Sequence, residues 1–492
     1  MTAHAPGRAN IRQDIFHATA AINVEVFRTM TFNPNLRSTA EYQAMDAAHH
    51  WHPFTDTREL NASGARVITA AQGCWLTDSD GNRILDGMAG LWCVNVGYGR
   101  EEIVEAVARQ MRELPYYNTF FQTTHPPAAE FSEALCEEAP AHMNRVFFTN
   151  SGSESNDTVF RLARVYWDCM GKPSKKAFIS RKNAYHGSTV AAASLGSMAA
   201  MHKQSGLPIE GIHHIGQPYW FDEGRDIDPA EFGLIRAREL EAEIDRLGAD
   251  NVCAFIGEPI QGAGGVIIPP ETYWPEIQRI CAEREILLVA DEVICGFGRT
   301  GAWWGSESFG ITADLMPIAK GMTSGYVPMG GVLISDRVAG PVMEKAGEFT
   351  HGYTYSGHPV ACAAGLANLR IMQEEKLVER VRDDTGPYLA ARWAALGDHP
   401  LVGEARIKGL VGALELVKDK TTMERFPNEG DTGTRCRDLA LANGLVMRAV
   451  RDTIIISPPL TLSHEECDLL VERAHKALDD LADELTRERA FA

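Results

Sequence analysis

The sequence lacks an excess of basic residues and any apolar run long enough to span a membrane. Lysine and arginine total 47 against 66 acidic residues, which gives a formal net charge of −19. A chain of this charge offers little attraction to phosphate backbones or anionic lipids, so we expect neither a nucleic-acid nor a membrane partner. The N-terminal segment also lacks the apolar centre of a signal peptide, and the expected compartment is the cytoplasm.

Paired cysteines and obvious metal ligands are also missing. The ten cysteines contain no C-x-x-C pair and no regular spacing, which favours reduced thiols over a disulfide framework or a zinc site. The histidine cluster "HHWH" at 49–52 has no acid or cysteine ligand beside it, and Pro53 fixes the local backbone, so we predict no metal site. The lysine-rich stretch 172–182 has no interleaved aromatic residues, and we expect it to be a solvated connection.

Seven short apolar runs do occur from about residue 146 onward, and longer amphipathic segments separate them. They are "RVFF", "KAFIS", "HHIG", "VCAFIG", "ILLVA", "LMPIA" and "GVLIS". This alternation predicts an α/β fold, a largely parallel sheet with helices on both faces, whose ligands lie at the carboxyl ends of the strands. In the first 90 residues, "GCWLTDSDGNRILD" instead predicts a hairpin that turns at Asp80-Gly81-Asn82.

The run "ILLVADE" places an acid where a ligand is expected. Asp291 follows the apolar run directly, and Glu292 should point to the opposite side of the sheet. The "GFGRTG" that follows, 296–301, matches a dinucleotide-binding pattern. Five residues separate it from the strand, however, and no apolar-periodic helix comes after it, so the dinucleotide hypothesis is disfavoured.

Two further loops follow predicted strands. In "NSGSES", Ser151 and Ser153 stand at the start of an amphipathic helix, which suits a phosphate; a plain capped helix start is the alternative. The pattern is not G-x-S-x-G, so a serine hydrolase is not indicated. In "AYHGST", Tyr185 and His186 offer an aromatic face for a planar ring, or else an ordinary packed turn.

Lys320, in "PIAKGMTSGYVPMGG", is the only lysine between Lys203 and Lys345 and has apolar, glycine and proline neighbours. A desolvated lysine loses its proton more easily and becomes a nucleophile that can form a Schiff base. Combined with a phosphate loop, an aromatic plate and Asp291 at a strand end, it predicts a pyridoxal phosphate site. The acid would keep the pyridine nitrogen protonated.

At this point the sequence resembles the class III aminotransferases of the fold-type I pyridoxal phosphate superfamily. The resemblance begins near 51–56 and runs almost to the C-terminus. It rests on "TNSGSESND", "AYHGSTVAAASLG", "GEPIQGAGGVIIPP", "LLVADEVICGFGRTG", "AKGMTSGYVPMGG" and "HGYTYSGHP". Within the class, "DGMAGLWCVNVGYGR" and "YYNTFFQTTHP" are most similar to the ω-amine:pyruvate transaminases, the putrescine or β-alanine type.

The resemblance implies an aspartate-aminotransferase-like fold with a seven-stranded central sheet and a small α+β domain built from both ends of the chain. It divides the chain into an N-terminal segment, 1–88, a large cofactor-binding domain, 89–356, and a C-terminal small domain, 357–492. It also implies a homodimer or a dimer of dimers, because the active sites are shared between subunits.

The resemblance also implies roles for single residues. Lys320 and Asp291 are the catalytic residues, which bind the cofactor covalently and hold its pyridine nitrogen. The other cofactor-binding residues are Ser151, Gly152, Ser153, Tyr185, His186, Glu258, Gln261, Val293 and, from the neighbouring subunit, Thr354. The substrate-binding residues are Trp92, Phe120, Tyr185 and Arg448, of which Arg448 takes the carboxylate of the acceptor. Trp92 and Phe120 have the alternative of plain core aromatics, and Phe120 is expected from the partner.

These features predict a transaminase that moves the amino group of a primary amine or ω-amino acid to pyruvate, giving an aldehyde or ketone and alanine. Relatives specialised for ornithine or 4-aminobutyrate place a glutamate where this chain has Ala263, which favours pyruvate over 2-oxoglutarate. The alternatives are another pyridoxal phosphate reaction, such as an aminomutase or a decarboxylase, and, far behind, an NAD-dependent oxidoreductase.

Overall fold

The structure, a computed structural model, describes residues 37–491, and the side chains of 37–488. The N-terminal stretch on which the signal-peptide argument rests lies outside the described residues. By compactness the chain forms two units that divide between Val67 and Ile68. The first contains helices α1 (Thr39–His49) and α2 (Thr57–Ser63). Helix α1 begins at a capping box, in which the Ser38 backbone N–H donates to Glu41 Oε2 at 2.9 Å.

The second unit contains the remaining helices and all the strands. Its helices are α3 (Ala89–Trp92), α4 (Glu101–Glu113), α5 (Pro126–Glu138), α6 (Gly152–Cys169), α7 (Val190–Leu195), α8 (Ala199–Ser205), α9 (Trp220–Glu223), α10 (Pro229–Leu247), α11 (Tyr273–Glu283), α12 (Gly305–Ser308), α13 (Asp336–Lys345), α14 (Pro359–Glu374), α15 (Leu377–Arg380), α16 (Gly386–Ala395), α17 (Asp431–Ala442) and α18 (His464–Phe491). Its strands are β1 (Ile68–Gln72), β2 (Trp75–Asp78), β3 (Arg83–Asp86), β4 (Met143–Thr149), β5 (Ala177–Arg181), β6 (Ile212–Ile215), β7 (Val252–Gly257), β8 (Leu287–Ala290), β9 (Leu315–Ile318), β10 (Gly330–Ser335), β11 (Val402–Lys408), β12 (Val411–Leu416), β13 (Leu445–Val446), β14 (Arg448–Val450) and β15 (Thr453–Ile456).

The central sheet has seven strands in the order β4-β10-β9-β8-β7-β5-β6. Each of its strands overlaps one of the seven predicted apolar runs. The pairs among β5 to β9 are parallel, whereas β10 runs antiparallel to both of its neighbours. The predicted mostly parallel seven-stranded sheet is confirmed.

Both faces of this sheet are buried. Along β8, Leu287 and Val289 belong to one apolar cluster, which includes Val159 and Leu162 of α6. The alternate residue Leu288 belongs to a second cluster on the opposite face. Because successive side chains of a strand point to opposite faces, helices must cover both sides, and this explains the continuous apolar runs.

Two smaller four-stranded sheets complete the second unit. One has the order β1-β2-β3-β13, and the other has the order β11-β12-β15-β14. The β2–β3 hairpin turns where the sequence predicts, with Gly81 at φ 82°. The parallel pair β3–β13 joins the N-terminal strands to the C-terminal part of the chain, as the small α+β domain requires. The boundaries 1–88, 89–356 and 357–492 stay a prediction.

None of the described helices combines the length and the apolar character that crossing a membrane requires.

Candidate active site

Asp291 lies at the carboxyl end of β8 and is 3% exposed. His186 Nδ1 lies 2.7 Å from Asp291 Oδ2, which also accepts a hydrogen bond from Asn156 Nδ2 at 2.9 Å. The other oxygen, Oδ1, accepts the backbone N–H of Val293 at 3.0 Å. A carboxylate oxygen has two lone pairs, so Asp291 Oδ1 can accept one more donor, such as the N–H of a protonated ring.

The sequence alone does not reveal Asn156, although it holds two parts of the site together. Its Nδ2 donates both to Asp291 Oδ2 and to the backbone carbonyl of His186, at 2.9 and 2.7 Å. Asn156 lies in the first turns of α6, and its side-chain amide is fully buried. This burial indicates a role in the site, and only the structure reveals it. It fixes the side chain of Asp291 relative to the "AYHG" loop.

The expectation of a solvated connection at 172–182 is wrong for two of its residues. Lys175 is buried, and its Nζ donates to the backbone carbonyls of Ala249 and Glu285 at 2.9 and 3.0 Å. Arg181 is also buried, at the end of β5, and its guanidinium donates to the backbone carbonyl of Glu258 at 2.6 Å. Backbone carbonyls from distant segments accept hydrogen bonds from the Lys175 amine and from one nitrogen of the Arg181 guanidinium, and a sequence does not show such partners.

The amino end of α6 supplies an anion site. Ser151 is the N-cap, and its hydroxyl accepts the backbone N–H of Glu154 at 3.2 Å. The backbone N–H groups of Gly152 and Ser153 have no acceptor within the described part of the chain. A Cβ at Gly152 would lie 3.0 Å from Val293 Cγ1, so glycine allows close packing of the two loops. Free N–H groups at a helix start suit a phosphate.

Tyr185 and Glu258 lie beside this helix start. The backbone N–H of Tyr185 donates to Glu258 Oε1 at 3.2 Å, and the Tyr185 hydroxyl lies 3.1 Å from that of Ser188. Glu258 Oε2 accepts the backbone N–H of Gly262 at 2.9 Å. Burial raises the pKa of Glu258, while the nearby His186 partly offsets the effect. Glu258 thus fixes the aromatic loop and the "QGAGG" loop to each other.

Gln261 presents an unused acceptor. Its Nε2 donates to the backbone carbonyl of Lys182 at 3.0 Å, which fixes the amide. Its Oε1 is buried and has no hydrogen-bond partner in the described residues. A buried polar atom without a hydrogen-bond partner lowers the stability of the fold, so this oxygen is a candidate acceptor for a donor on a ligand. A hydroxyl on a planar ring would satisfy it, which fits the predicted cofactor.

Lys320 follows β9 and begins a short 3-10 turn with φ 48°, an uncommon value for a side-chain-bearing residue. Desolvation lowers the pKa of Lys320, and nearby Arg448 acts in the same direction. Cys93, Asp291 and Glu258 oppose the shift. The Nζ amine has no hydrogen bond to any described residue. These features suit an amine that must lose its proton to bind a carbonyl carbon.

Arg448 begins β14 and pairs with Ile455 of β15. Burial lowers the pKa of its guanidinium, whereas Tyr185 lies near enough to raise it. No carboxylate forms an ion pair with Arg448 among residues 37–488. A desolvated, unpaired guanidinium close to both Lys320 and Tyr185 is a ready site for a carboxylate.

Three predicted residues are not gathered around Lys320 in the same way. The Trp92 ring is 2% exposed and packs in an apolar cluster with Ile260 and Ile294, although its neighbour Cys93 lies close to Lys320. Phe120 packs against Gly352, and the Tyr116 hydroxyl donates to the backbone carbonyl of Thr354 at 2.6 Å. Phe120 and Thr354 therefore lie on two loops of the chain that contact each other.

The histidine cluster in the first unit does have an acid beside it. His50 Nδ1 and His52 Nε2 lie 3.0 and 2.9 Å from Asp46 Oδ1. The premise that no acid accompanies the cluster is therefore wrong, because four residues of helix bring Asp46 under His50. The absence of a metal at this cluster stays a prediction.

The "GFGRTG" segment has a structural role. It lies in a run of turns, and the next helix, α12, has only four residues. Arg299 is fully buried, and its guanidinium donates to Asn95 Oδ1 at 2.8 Å and to the carbonyl of Leu410 at 3.3 Å. Burial lowers the pKa of Arg299 to about 10. These glycines do not form a tight turn from a strand into a helix, so the dinucleotide hypothesis has no structural support.

The described residues fit the cofactor that the sequence predicts. Gly152 and Ser153 offer N–H groups to a phosphate, Asp291 Oδ1 accepts a ring N–H, and Gln261 Oε1 accepts a ring hydroxyl. Lys320 supplies the amine.

Comparisons with known proteins agree with this geometry. The family described as "Aminotransferase class-III" matches residues 58–478. The putrescine–pyruvate aminotransferase of Pseudomonas aeruginosa is 59% identical over 444 residues, which cover 90% of this chain and 97% of that protein. An (S)-enantioselective omega-transaminase from Thermomicrobium roseum has a similar structure, with a TM-score of 0.88 and 42% identity over 91% of this chain and 99% of that chain.

A further solved structure is a thermostable omega-transaminase variant engineered for asymmetric synthesis of enantiopure bulky amines. It matches with a TM-score of 0.87 and 40% identity, covering 90% of this chain and 99% of that chain. Its engineered positions are a tryptophan, a phenylalanine and an arginine.

Proposed function

The chain belongs to the class-III aminotransferases, pyridoxal 5′-phosphate-dependent enzymes of fold type I, and on that premise we propose that it is an amine:pyruvate transaminase. It takes the amino group of a primary amine or ω-amino acid and gives it to pyruvate, forming an aldehyde or ketone and alanine. The observation that carries the proposal is Arg448, an unpaired and desolvated guanidinium close to Lys320. The similarity to a putrescine–pyruvate aminotransferase supports it.

The bound cofactor supplies an electron sink for the carbon that bears the amino group. Asp291, held by His186 and Asn156, would keep a proton on the ring nitrogen through Oδ1. Lys320 Nζ would accept the proton from the amine-bearing carbon and hold it for its later return. Because burial lowers the pKa of Lys320, this amine loses its proton more readily than an exposed lysine does, which suits a base.

One pocket must accept an amine without a carboxylate and then pyruvate, which has one. Arg448 serves the second partner with a bidentate guanidinium fork and swings away for the first. Position 263 supports this, because the buried Ala263 offers no carboxylate that would hold Arg448 in place. Because Arg448 is free to bind the single carboxylate of pyruvate, the site favours pyruvate over 2-oxoglutarate, which has two carboxylates.

Trp92 and Phe120 form walls of the amine pocket in this proposal. The engineered omega-transaminase replaces a tryptophan and a phenylalanine that are as far apart along its chain as Trp92 and Phe120 are here. An arginine is the third replaced residue, the same type as Arg448. The shared residue types and spacing support a pocket that sets the size of the amine.

We infer a homodimer, or a dimer of dimers, in which Phe120 and Thr354 enter the site of the partner. Large aromatic side chains are exposed around both residues: Phe121 is 92% exposed, and Tyr117 and Tyr355 are more than half exposed. An exposed aromatic patch of this kind marks a protein interface. The two-fold symmetry of a dimer would place both residues of one subunit at the site of the other.

The cytoplasm stays the proposed compartment. All ten cysteines are free thiols in the structure, which suits a reducing environment.

A panel of amines with pyruvate or 2-oxoglutarate tests the function, read as alanine or glutamate formed. The amine alone should bleach the yellow enzyme, and pyruvate should restore the colour with formation of alanine. A decarboxylase would instead release carbon dioxide without an acceptor, and an aminomutase would give an isomer of the amine. Equal rates with both acceptors would overturn the preference for pyruvate. Borohydride should fix the cofactor to Lys320, whereas turnover with a nicotinamide alone would establish the oxidoreductase.

A further inference from the structure

The turn before Cys93 has a left-handed backbone. Ala89, Gly90, Leu91 and Trp92 have φ values of 46°, 56°, 77° and 72°. Backbone hydrogen bonds close the turn, from the N–H of Trp92 to the carbonyl of Met88 at 2.6 Å and from that of Cys93 to Ala89 at 2.8 Å. Residues with side chains rarely occupy this region, and consecutive ones are rarer still. Such a conformation persists only where its surroundings impose it.

Asp86 accepts hydrogen bonds from this turn. Its carboxylate is 1% exposed and lies at the end of β3. Oδ1 accepts the backbone N–H of Met88 at 2.9 Å, and Oδ2 accepts that of Gly90 at 2.6 Å and the hydroxyl of Tyr98 at 2.7 Å. No lysine or arginine forms an ion pair with Asp86 among the residues with described side chains. The turn and Tyr98 supply its hydrogen-bond donors, and the buried Arg299 lies near enough to interact with its charge.

Besides its positive φ, lack of space favours glycine at position 90 of the turn. A Cβ at Gly90 would lie 2.7 Å from the hydroxyl oxygen of Tyr98. The Tyr98 hydroxyl, the third donor to Asp86, thus packs directly against Gly90, and its contacts with Asp86 and Gly90 together fix the position of the turn.

The far end of the turn is attached to the loop that carries Lys320. The backbone N–H of Val96 donates to the Ser324 hydroxyl at 2.9 Å, and a Cβ at Gly321 would lie 2.6 Å from Asn95 Nδ2. The Cys93 thiol lies near enough to Lys320 to influence its pKa. On the other side, Val446 pairs with Asp86 only two residues before Arg448. Asp86 therefore lies between two segments that bear site residues.

We propose that Asp86 is a positioning residue for the reaction, because it holds the left-handed turn that sets where Cys93 stands beside Lys320 and where the Trp92 ring packs. This inference rests on the proposed amine transaminase function. It implies that a looser turn leaves the side chains of one wall of the amine pocket less well positioned, without removing any group that contacts the reacting atoms. A small amine depends more on that wall for its orientation than a bulky amine, which fills the pocket.

Asp86→Asn tests the proposal, with Tyr98→Phe as a milder variant. The holoenzyme of each is assayed with a small diamine, putrescine, and a bulky aryl amine, 1-phenylethylamine, both with pyruvate. The ratio of the two kcat/KM values is the readout, because a loss of active protein cancels in it. In Asp86→Asn the ratio of putrescine to aryl amine should fall at least about threefold, and in Tyr98→Phe about twofold.

Asp78→Asn is the matched control. Asp78 is also buried at a strand end, and its Oδ1 accepts the backbone N–H groups of Asp80 and Asn82 at 3.1 and 2.8 Å. Its loop is the β2–β3 hairpin, which bears none of the site residues. This variant should lower stability but leave the ratio of the two amines unchanged.

Alkylation of Cys93, followed by mass spectrometry, gives a readout that does not depend on turnover. Cys93 should react at least about threefold faster in Asp86→Asn than in the parent enzyme, while the half-buried Cys136 and Cys169 should not change. If both amines slow by the same factor and the alkylation of Cys93 is unchanged, the proposal is overturned. If Asp86→Asn does not fold, an unchanged ratio in Tyr98→Phe overturns it. A parent enzyme that forms no alanine would instead refute the transaminase function.

Discussion

Replacement of Arg448 by alanine should separate the two halves of the reaction. The Arg448 guanidinium lies near Lys320 and Tyr185 and has no ion pair among the described residues. A bidentate contact with the pyruvate carboxylate would supply two charge-assisted hydrogen bonds, each contributing about 1.5 kcal/mol net. Their loss, about 3 kcal/mol, corresponds to about a 100-fold lower kcat/KM for pyruvate.

The fold should tolerate this change. Removal of a desolvated cation that lacks an ion pair leaves no carboxylate unpaired, so the unfolding free energy should fall by less than about 1 kcal/mol. The step with a simple amine should change less than about threefold, because that substrate has no carboxylate for the guanidinium to hold.

Rapid mixing measures each half-reaction separately, as the loss of the yellow colour with amine and its return with pyruvate. Arg448→Lys is the matched control, since it keeps the charge but lacks the fork, and it should lose only about tenfold with pyruvate. Equal losses in both half-reactions of Arg448→Ala would remove Arg448 from the substrate pocket.

Three further predictions follow from single contacts. Burial raises the pKa of Glu292 to about 7, so between the ordinary carboxyl range and pH 7 the native state holds a proton that the unfolded state has lost. The unfolding free energy should therefore fall by up to about 3 kcal/mol as pH rises across that window. Denaturant titrations of Glu292→Gln should lack this fall; an unchanged pH dependence would contradict it. Asn156→Ala removes a donor to Asp291 and should weaken cofactor retention on dialysis about tenfold, and retention equal to that of the parent would show that Asn156 is dispensable. The variants Thr354→Asp and Lys320→Ala should each be inactive alone, but refolding the two together should restore activity. If Thr354 acts across the interface, a mixed dimer has one site with both an intact Lys320 and an intact Thr354. No recovery would place Thr354 in its own subunit's site.

The sequence predicts the parts of the site that stand at strand ends. Asp291 follows β8 directly and Lys320 lies two residues after the end of β9. A continuous apolar run marks a strand buried on both faces without any knowledge of its neighbours. The phosphate loop is likewise visible, because small residues precede an amphipathic helix. These signals are local, so one sequence suffices to read them.

The supporting contacts could not be predicted, because each joins segments far apart in the chain. Asn156 meets Asp291 across 135 residues, and Arg181 meets the carbonyl of Glu258 across 77. Asp46 is four residues from His50, but only the helix brings the side chains together. The left-handed turn at 89–92 contains three residues with side chains, and no local preference announces it.

The antiparallel strand β10 lies between β4, which leads to the anion-binding helix start, and β9, which leads to Lys320. Helix α6 nevertheless crosses this gap, because the Ser155 hydroxyl donates to the carbonyl of Ile318 at 3.2 Å and a Cβ at Gly152 would lie 3.7 Å from Ala319 Cβ. The phosphate end and the amine end of the site are therefore joined by direct packing as well as by the hydrogen-bonded ladder of the sheet. A change in the length of a surface loop would leave both connections in place.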